Sequence, residues 1–142
     1  MKATTRLFIG LGANLTPVGF STPQSGCEAA MVMLSDLGVN LIRMSRWYES
    51  APVPPSDQPW YLNAVAEATT SFDAAKTLTV LHQVEVCFGR VRSTRNAARV
   101  IDLDLLDFGG QIHDQKALKV PHPRMHERAF VLFPLRDLCA NW

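Results

Sequence analysis

Asp102 and Asp104 stand two residues apart in the segment Arg99-Val100-Ile101-Asp102-Leu103-Asp104-Leu105-Leu106. In an extended strand alternate side chains share a face, so both carboxylates point one way while Ile101, Leu103 and Leu105 point into a core. Their Cα atoms are then roughly 7 Å apart, and two carboxylates at that spacing can converge on a hard cation such as Mg²⁺ when phosphate oxygens supply further ligands. The pattern fits a half-buried strand with a polar outer face equally well, although acids are disfavoured in strands and two on one face repel.

The residues ahead of this pair tilt the balance. Arg90, Arg92, Arg95 and Arg99 fall within residues 89–101, a stretch without a single acid. A metal–polyphosphate complex needs both signs side by side, and guanidinium forks onto phosphate oxygens better than ammonium does. Phosphate binding is therefore favoured over a solvated basic loop. Two further constellations are weaker by themselves. His122 is fixed between Pro121 and Pro123, with Arg128 six residues on; rigid placement suits a functional imidazole, yet most histidines in proline turns are incidental. Tyr61 and Asn63, in Asp57-Gln58-Pro59-Trp60-Tyr61-Leu62-Asn63, share one strand face and could stack on and hydrogen-bond a planar heterocycle. Taken alone, turn chemistry and core packing are the better explanation of that pair.

Several other chemistries are excluded. Gly10-Leu11-Gly12 begins a dinucleotide fingerprint whose third glycine position is Leu15, and neither a Gly-x-x-x-x-Gly-Lys-Ser/Thr loop nor a Gly-x-Ser-x-Gly elbow occurs. The 14 basic and 13 acidic residues of the 142 leave a formal charge of +1, which speaks against a nucleic-acid wrapper or a polybasic membrane binder. Cys27, Cys87 and Cys139 are odd in number and widely spaced, so reduced thiols packed as small hydrophobes are expected rather than disulfides or a zinc knuckle. The apolar run Leu7–Leu11 is too short for a signal core or a membrane span.

The elements that must position these residues follow from periodicity. Leu7–Leu11 reads as a buried strand, followed by a Gly-, Ser- and Pro-rich loop from Pro17 to Gly26. Cys27, Ala30, Met31, Leu34 and Leu37 recur at helical spacing up to Gly38. Strands are expected over Leu41–Tyr48 and Leu62–Thr70, broken by the stiff Pro52, Pro54, Pro55 loop. Ser71 or Asp73 caps a second helix with the stripe Leu78, Leu81, Val84 or Glu85, and Phe88, ending at Gly89. A strand over Val100–Phe108 turns at Gly109-Gly110 into a hairpin with Gln111–His113. The order strand, helix, strand, strand, helix, strand predicts an α+β fold: an antiparallel sheet with helices on one face and an extra hairpin.

Taken together and in order, Gly12-Ala13-Asn14-Leu15, Tyr48 to Pro52, Gln58-Pro59-x-Tyr61-Leu62-Asn63, Gly89-Arg90-x-Arg92, Arg99-x-x-Asp102-Leu103-Asp104-Leu105-Leu106 and Pro121-His122-Pro123-Arg124-Met125-x-x-Arg128-Ala129-Phe130 resemble the 6-hydroxymethyl-7,8-dihydropterin pyrophosphokinase family over nearly the whole chain. The resemblance implies a ferredoxin-like fold and transfer of pyrophosphate from ATP to the pterin hydroxymethyl oxygen, with release of AMP, as a step of tetrahydrofolate biosynthesis. It implies that Asp102 and Asp104 hold two Mg²⁺ ions on the ATP phosphates, and that Arg90, Arg92 and Arg99, with His122 and Arg128, cradle phosphate. Glu85 and His82 match positions near the nucleotide. Tyr61 and Phe130 match the aromatics around the pterin ring, and Asn63, with backbone groups near Ser50 and Val53, its hydrogen-bonding edge.

The sequence departs from the family pattern in the segment between Arg92 and Arg99, which is short and lacks a tryptophan, at Ala97-Ala98 where Gly-Pro is common, and at Pro54 where glycine is usual. One domain over residues 1–142 is expected, with a C-terminus that stops where relatives usually continue and so reads as truncated. The expected protein is a cytoplasmic monomer acting on ATP and the pterin, with no nucleic-acid or membrane partner. Two rivals remain: a ferredoxin-like module for RNA or protein, which would line its sheet strands with basic and aromatic residues, and a folded but inactive family member.

Overall fold

A computed structural model describes residues 3–17, 19–51, 61–89, 101–115 and 118–120. The elements run β1 (Thr5–Ala13), α1 (Pro23–Asp36), β2 (Val39–Met44), β3 (Tyr48–Ser50), β4 (Tyr61–Thr70), α2 (Ala74–Cys87), β5 (Asp102–Phe108), β6 (His113–Gln115) and β7 (Leu118–Val120). The main sheet has the strand order β2-β4-β1-β5, with β3 also paired to β4. Every pairing in it is antiparallel. Strand β4 thus lies between β1 and β2, antiparallel to both, which is a split β-α-β arrangement.

Alternation along β1 sorts the two faces. Leu7, Ile9, Leu11 and Ala13 join the core with Cys27, Ala30, Met31 and Leu34 of α1 and Val80, Leu81 and Val84 of α2. Both helices therefore cover the same face, as expected. Arg6, Phe8, Gly10 and Gly12 lie on the other one, called the far face below. Among the described residues no helix is long and apolar enough to cross a membrane.

Local chemistry moved several boundaries. Helix α1 begins inside the expected loop because Thr22 caps it: its hydroxyl accepts the Ser25 N–H at 3.0 Å, Ser25 Oγ accepts the Thr22 N–H at 3.2 Å, and Pro23 fits the first turn. Asp73, one of the two expected caps, starts α2 by accepting the Lys76 N–H at 2.7 Å. Gly38 and Gly89, just past the two helices, have φ of 103° and 87°, where a side chain would be strained. The strand expected over Leu41–Tyr48 is split into β2 and β3 at Ser45. There Ser45 Oγ, not a backbone carbonyl, accepts the Val65 N–H at 2.9 Å.

The glycine turn forms as expected, with Gly109 at φ 57°, Gly110 at φ 71° and the Gln111 N–H bonded to the Phe108 carbonyl at 2.9 Å. It does not make the expected hairpin with β5, however. Strand β6 pairs with β7 in a separate two-stranded sheet. Of the cysteines, Cys27 is in the core, and burial, helped by Glu28, pushes its thiol up to about 12. Cys87 is exposed, against expectation, because it ends α2 on the side turned from the sheet. Cys139 lies outside the described residues.

Candidate functional site

The candidate residues converge through strand register. Gly12 of β1 faces Asn63 of β4 on one side and Asp102 of β5 on the other, and Asn63 in turn faces Tyr48 of β3. One row across four strands thus reads Tyr48, Asn63, Gly12, Asp102. The next reads Val65, Gly10, Asp104, because Gly10 faces both of its neighbours. Ser50 faces Tyr61 in the row beyond Tyr48. Directly paired residues point to the same side of a sheet, so Asn63, Asp102 and Asp104 all belong to the far face, in line with the spacing argument.

Glycine at position 12 shapes this row. A Cβ there would lie 3.3 Å from Asn63 Oδ1, tighter than ordinary contact. A side chain at 12 would therefore crowd the Asn63 amide, which would have to shift slightly to admit it. Asn63 is 4% exposed, and its Nδ2 donates to the Tyr61 carbonyl at 3.4 Å. That bond leaves the amide oriented along its own strand. Gly10 serves differently, since Leu106 already occupies the space a Cβ would take, its side-chain carbons 3.3–3.5 Å away. Leu106, Phe8 and Val65 are all buried and make an apolar floor on the far face.

Asp102 and Asp104 are half-buried beside this floor. They are oxygen donors alternating along one strand, which suits a hard cation. Among the described residues no three His, Cys, Asp or Glu side chains group into a metal cage. A cation held here would complete its shell with substrate and water oxygens, the usual habit of Mg²⁺.

Glu85 packs inward from α2 against β5. It is 1% exposed, and its Oε2 accepts the backbone N–H of Leu103 at 2.9 Å. Half-buried His82 lies one helical turn earlier on the same side of α2. Val53, Arg90, Arg92, Arg99, His122, Arg128 and Phe130 lie outside the described residues.

Farther along the far face, Glu67 of β4 sits between two guanidinium groups. Arg6 Nε donates to its Oε2 and Arg43 Nε to its Oε1, each at 2.5 Å. Burial pushes the Glu67 carboxyl up, but the bonds and charges of Arg43 and Arg6 outweigh it and hold the group below its ordinary value.

The sequence reading gave no role to Gly12 or Tyr48. Arg46 fixes Tyr48 by donating to its hydroxyl at 3.0 Å. Both residues sit inside the family motifs, but only register reveals that they share a row with Asn63 and Asp102.

Residues 8–140 match the family described as 7,8-dihydro-6-hydroxymethylpterin-pyrophosphokinase (HPPK). The chain belongs to this family. It is 40% identical over 137 residues to the 2-amino-4-hydroxy-6-hydroxymethyldihydropteridine pyrophosphokinase of Pseudomonas aeruginosa, covering 96% of this chain and 82% of that one. To the protein of the same name from Haemophilus influenzae it is 38% identical over 135 residues, covering 94% and 81%. A crystal structure of the Plasmodium falciparum HPPK-DHPS protein superposes with a TM-score of 0.71 at 14% identity, covering 96% of this chain. This chain spans only 41% of that longer Plasmodium polypeptide. At such low identity the structural likeness speaks for the HPPK fold, and the sequence matches speak for the family.

Proposed function

We propose that this protein transfers the pyrophosphoryl group of ATP to the hydroxymethyl oxygen of 6-hydroxymethyl-7,8-dihydropterin, a reaction that serves folate synthesis in the cytoplasm. The observation that carries the reading is the row Asn63, Gly12, Asp102. Two strand spacings, roughly 10 Å, separate an amide suited to a pterin edge from a carboxylate suited to a metal-bound phosphate, and the glycine between them adds no side chain of its own. Family membership supports the substrates, and a site for small molecules agrees with it.

In this reading the hydroxymethyl oxygen attacks the β-phosphorus of ATP and gives up its proton to solvent, the bond from that phosphorus to the α,β-bridging oxygen breaks, and AMP leaves. Such transfer asks the protein for alignment and charge stabilisation, not a covalent nucleophile. Asp102 and Asp104 would hold two Mg²⁺ ions, which when bound neutralise charge on the phosphate oxygens. Tyr61 and Phe130 would enclose the pterin ring. Asn63, with backbone groups near Ser50 and Val53, would read its edge. Arg90, Arg92, Arg99, His122 and Arg128 would cradle the phosphates, and His82 would lie near the nucleotide.

Incubation with ATP, Mg²⁺ and the hydroxymethyl pterin, following AMP, tests the proposal. AMP formed in step with pterin diphosphate supports it. Nucleotide binding without AMP release in the presence of pterin would sink it.

A further inference from the structure

The chemistry above uses the carboxylates of Asp102 and Asp104 and leaves one fully buried carboxylate without a task. Glu85 lies in the last turn of α2, and its Oε2 accepts the N–H of Leu103, the residue between the two aspartates. Among the described residues, strand β5 ends the main sheet, pairing with β1 on one side and with no further strand of that sheet on the other. On that outer side the Glu85 carboxylate takes the place a neighbouring strand's carbonyl would hold. A charged acceptor makes a stronger bond than a neutral carbonyl does.

The peptide unit held in this way joins Asp102 to Leu103. Its orientation sets ψ of Asp102 and φ of Leu103, and hence the directions in which both aspartate side chains leave the strand. Carboxylates two residues apart converge on one ligand only while the strand keeps its pleat. Binding geometry of this kind depends on supporting hydrogen bonds behind the groups that touch the ligand. The carboxyl end of α2 meets the same point, since the Glu85 carbonyl accepts the Phe88 N–H at 3.2 Å, one residue before the Gly89 turn.

We propose that Glu85 is a positioning residue for the aspartate pair, acting through the Leu103 amide and not by touching nucleotide. The inference rests on the pyrophosphokinase reading, and it predicts that Glu85 governs the Mg²⁺-dependent part of nucleotide affinity alone.

The test is calorimetric binding of a non-hydrolysable ATP analogue, with and without Mg²⁺, and of the pterin, to wild type, E85L and E85Q. An amide proton–nitrogen spectrum follows Leu103 in each. E85L keeps the bulk and deletes the acceptor. It should lose about tenfold or more of the Mg²⁺-dependent affinity, with pterin affinity within about threefold, and shift the Leu103 amide resonance. E85Q keeps an acceptor oxygen and should recover most of the affinity and the amide position.

E85L with unchanged Mg²⁺ dependence, or with pterin and nucleotide lost in parallel, overturns the proposal. If E85L does not fold, E85Q decides. Amide position and affinity that change together, or stay together, support the role, and one changing without the other overturns it. Wild-type nucleotide affinity that ignores Mg²⁺ would instead bring down the pyrophosphokinase reading itself.

Discussion

At one end of the far face Glu67 lies between Arg6 and Arg43, while at the other Asp102 and Asp104 lie side by side on β5. Both ends use the same strands and the same alternation. They differ in what β1 contributes. Phe8 faces Glu67 and Asp107, a large side chain that fills its row, and Arg6 stacks over its ring at 4.9 Å. Two and four residues on, Gly10 and Gly12 contribute no side chain at all. The acid in the filled row is answered by protein cations and closes the sheet. The acids beside the glycines face backbone, the buried Leu106 side chain and the Asn63 amide instead of protein cations across β1. What surrounds a carboxylate on this sheet is thus set by its cross-strand partners more than by its own burial.

That contrast can be broken from either end. The largest effect is expected from D102N or D104N, each lowering AMP release by about a thousandfold while the circular dichroism spectrum is kept; near-wild-type turnover would remove the metal assignment. Next comes G12V, which puts a Cβ within 3.3 Å of Asn63 Oδ1 and should weaken pterin binding by about ten- to a hundredfold in a direct titration. N63A should cost roughly tenfold in pterin affinity and much less in ATP affinity, and equal losses would count against the pterin edge.

The smallest effect belongs to the clamp. E67Q should lower stability by about 1 kcal/mol at pH 7, because Arg6 and Arg43 are half exposed and rehydrate readily. The Glu67 carboxyl is held below its ordinary value of 4.5, so its contribution is present above that pH and fades as pH falls through the lowered value. Thermal melts between about pH 5 and 3 should therefore fall more steeply for wild type than for E67Q.

Much of this was legible in the sequence, for identifiable reasons. The alternation in Asp102-Leu103-Asp104-Leu105 fixes which residues face the core, and the caps at Asp73 and Gly89 bracket α2, so period and punctuation placed both. Helix α1 started early because the reciprocal bonds of Thr22 and Ser25 outweighed the loop-like look of Thr22-Pro23-Gln24-Ser25-Gly26. The break at Ser45 depends on its hydroxyl meeting Val65, a contact twenty residues away that no local pattern carries. Gly12 and Glu85 were harder for the same reason. One matters through what it leaves empty beside a neighbouring strand, the other through a backbone amide on a different element.

Strand β5 keeps its three aspartates on one face across an irregularity. Its register against β1 shifts between Phe8 and Ile9, so Ile9 faces Leu105, Phe8 faces Asp107, and Leu106 is the extra residue. The shift works like a change of reading frame in a two-letter code. Before it, even-numbered positions face the far side of the sheet, and after it odd-numbered ones do. Asp102, Asp104 and Asp107 therefore all face one way, and Leu103, Leu105 and Phe108 the other. The Leu105-Leu106 pair is the one place where this strand can shorten by a residue and keep every aspartate out of the core. A residue gained or lost within Asp102-Leu103-Asp104 would turn a carboxylate toward the helices, so the spacing of the aspartates is fixed by folding as firmly as by any ligand.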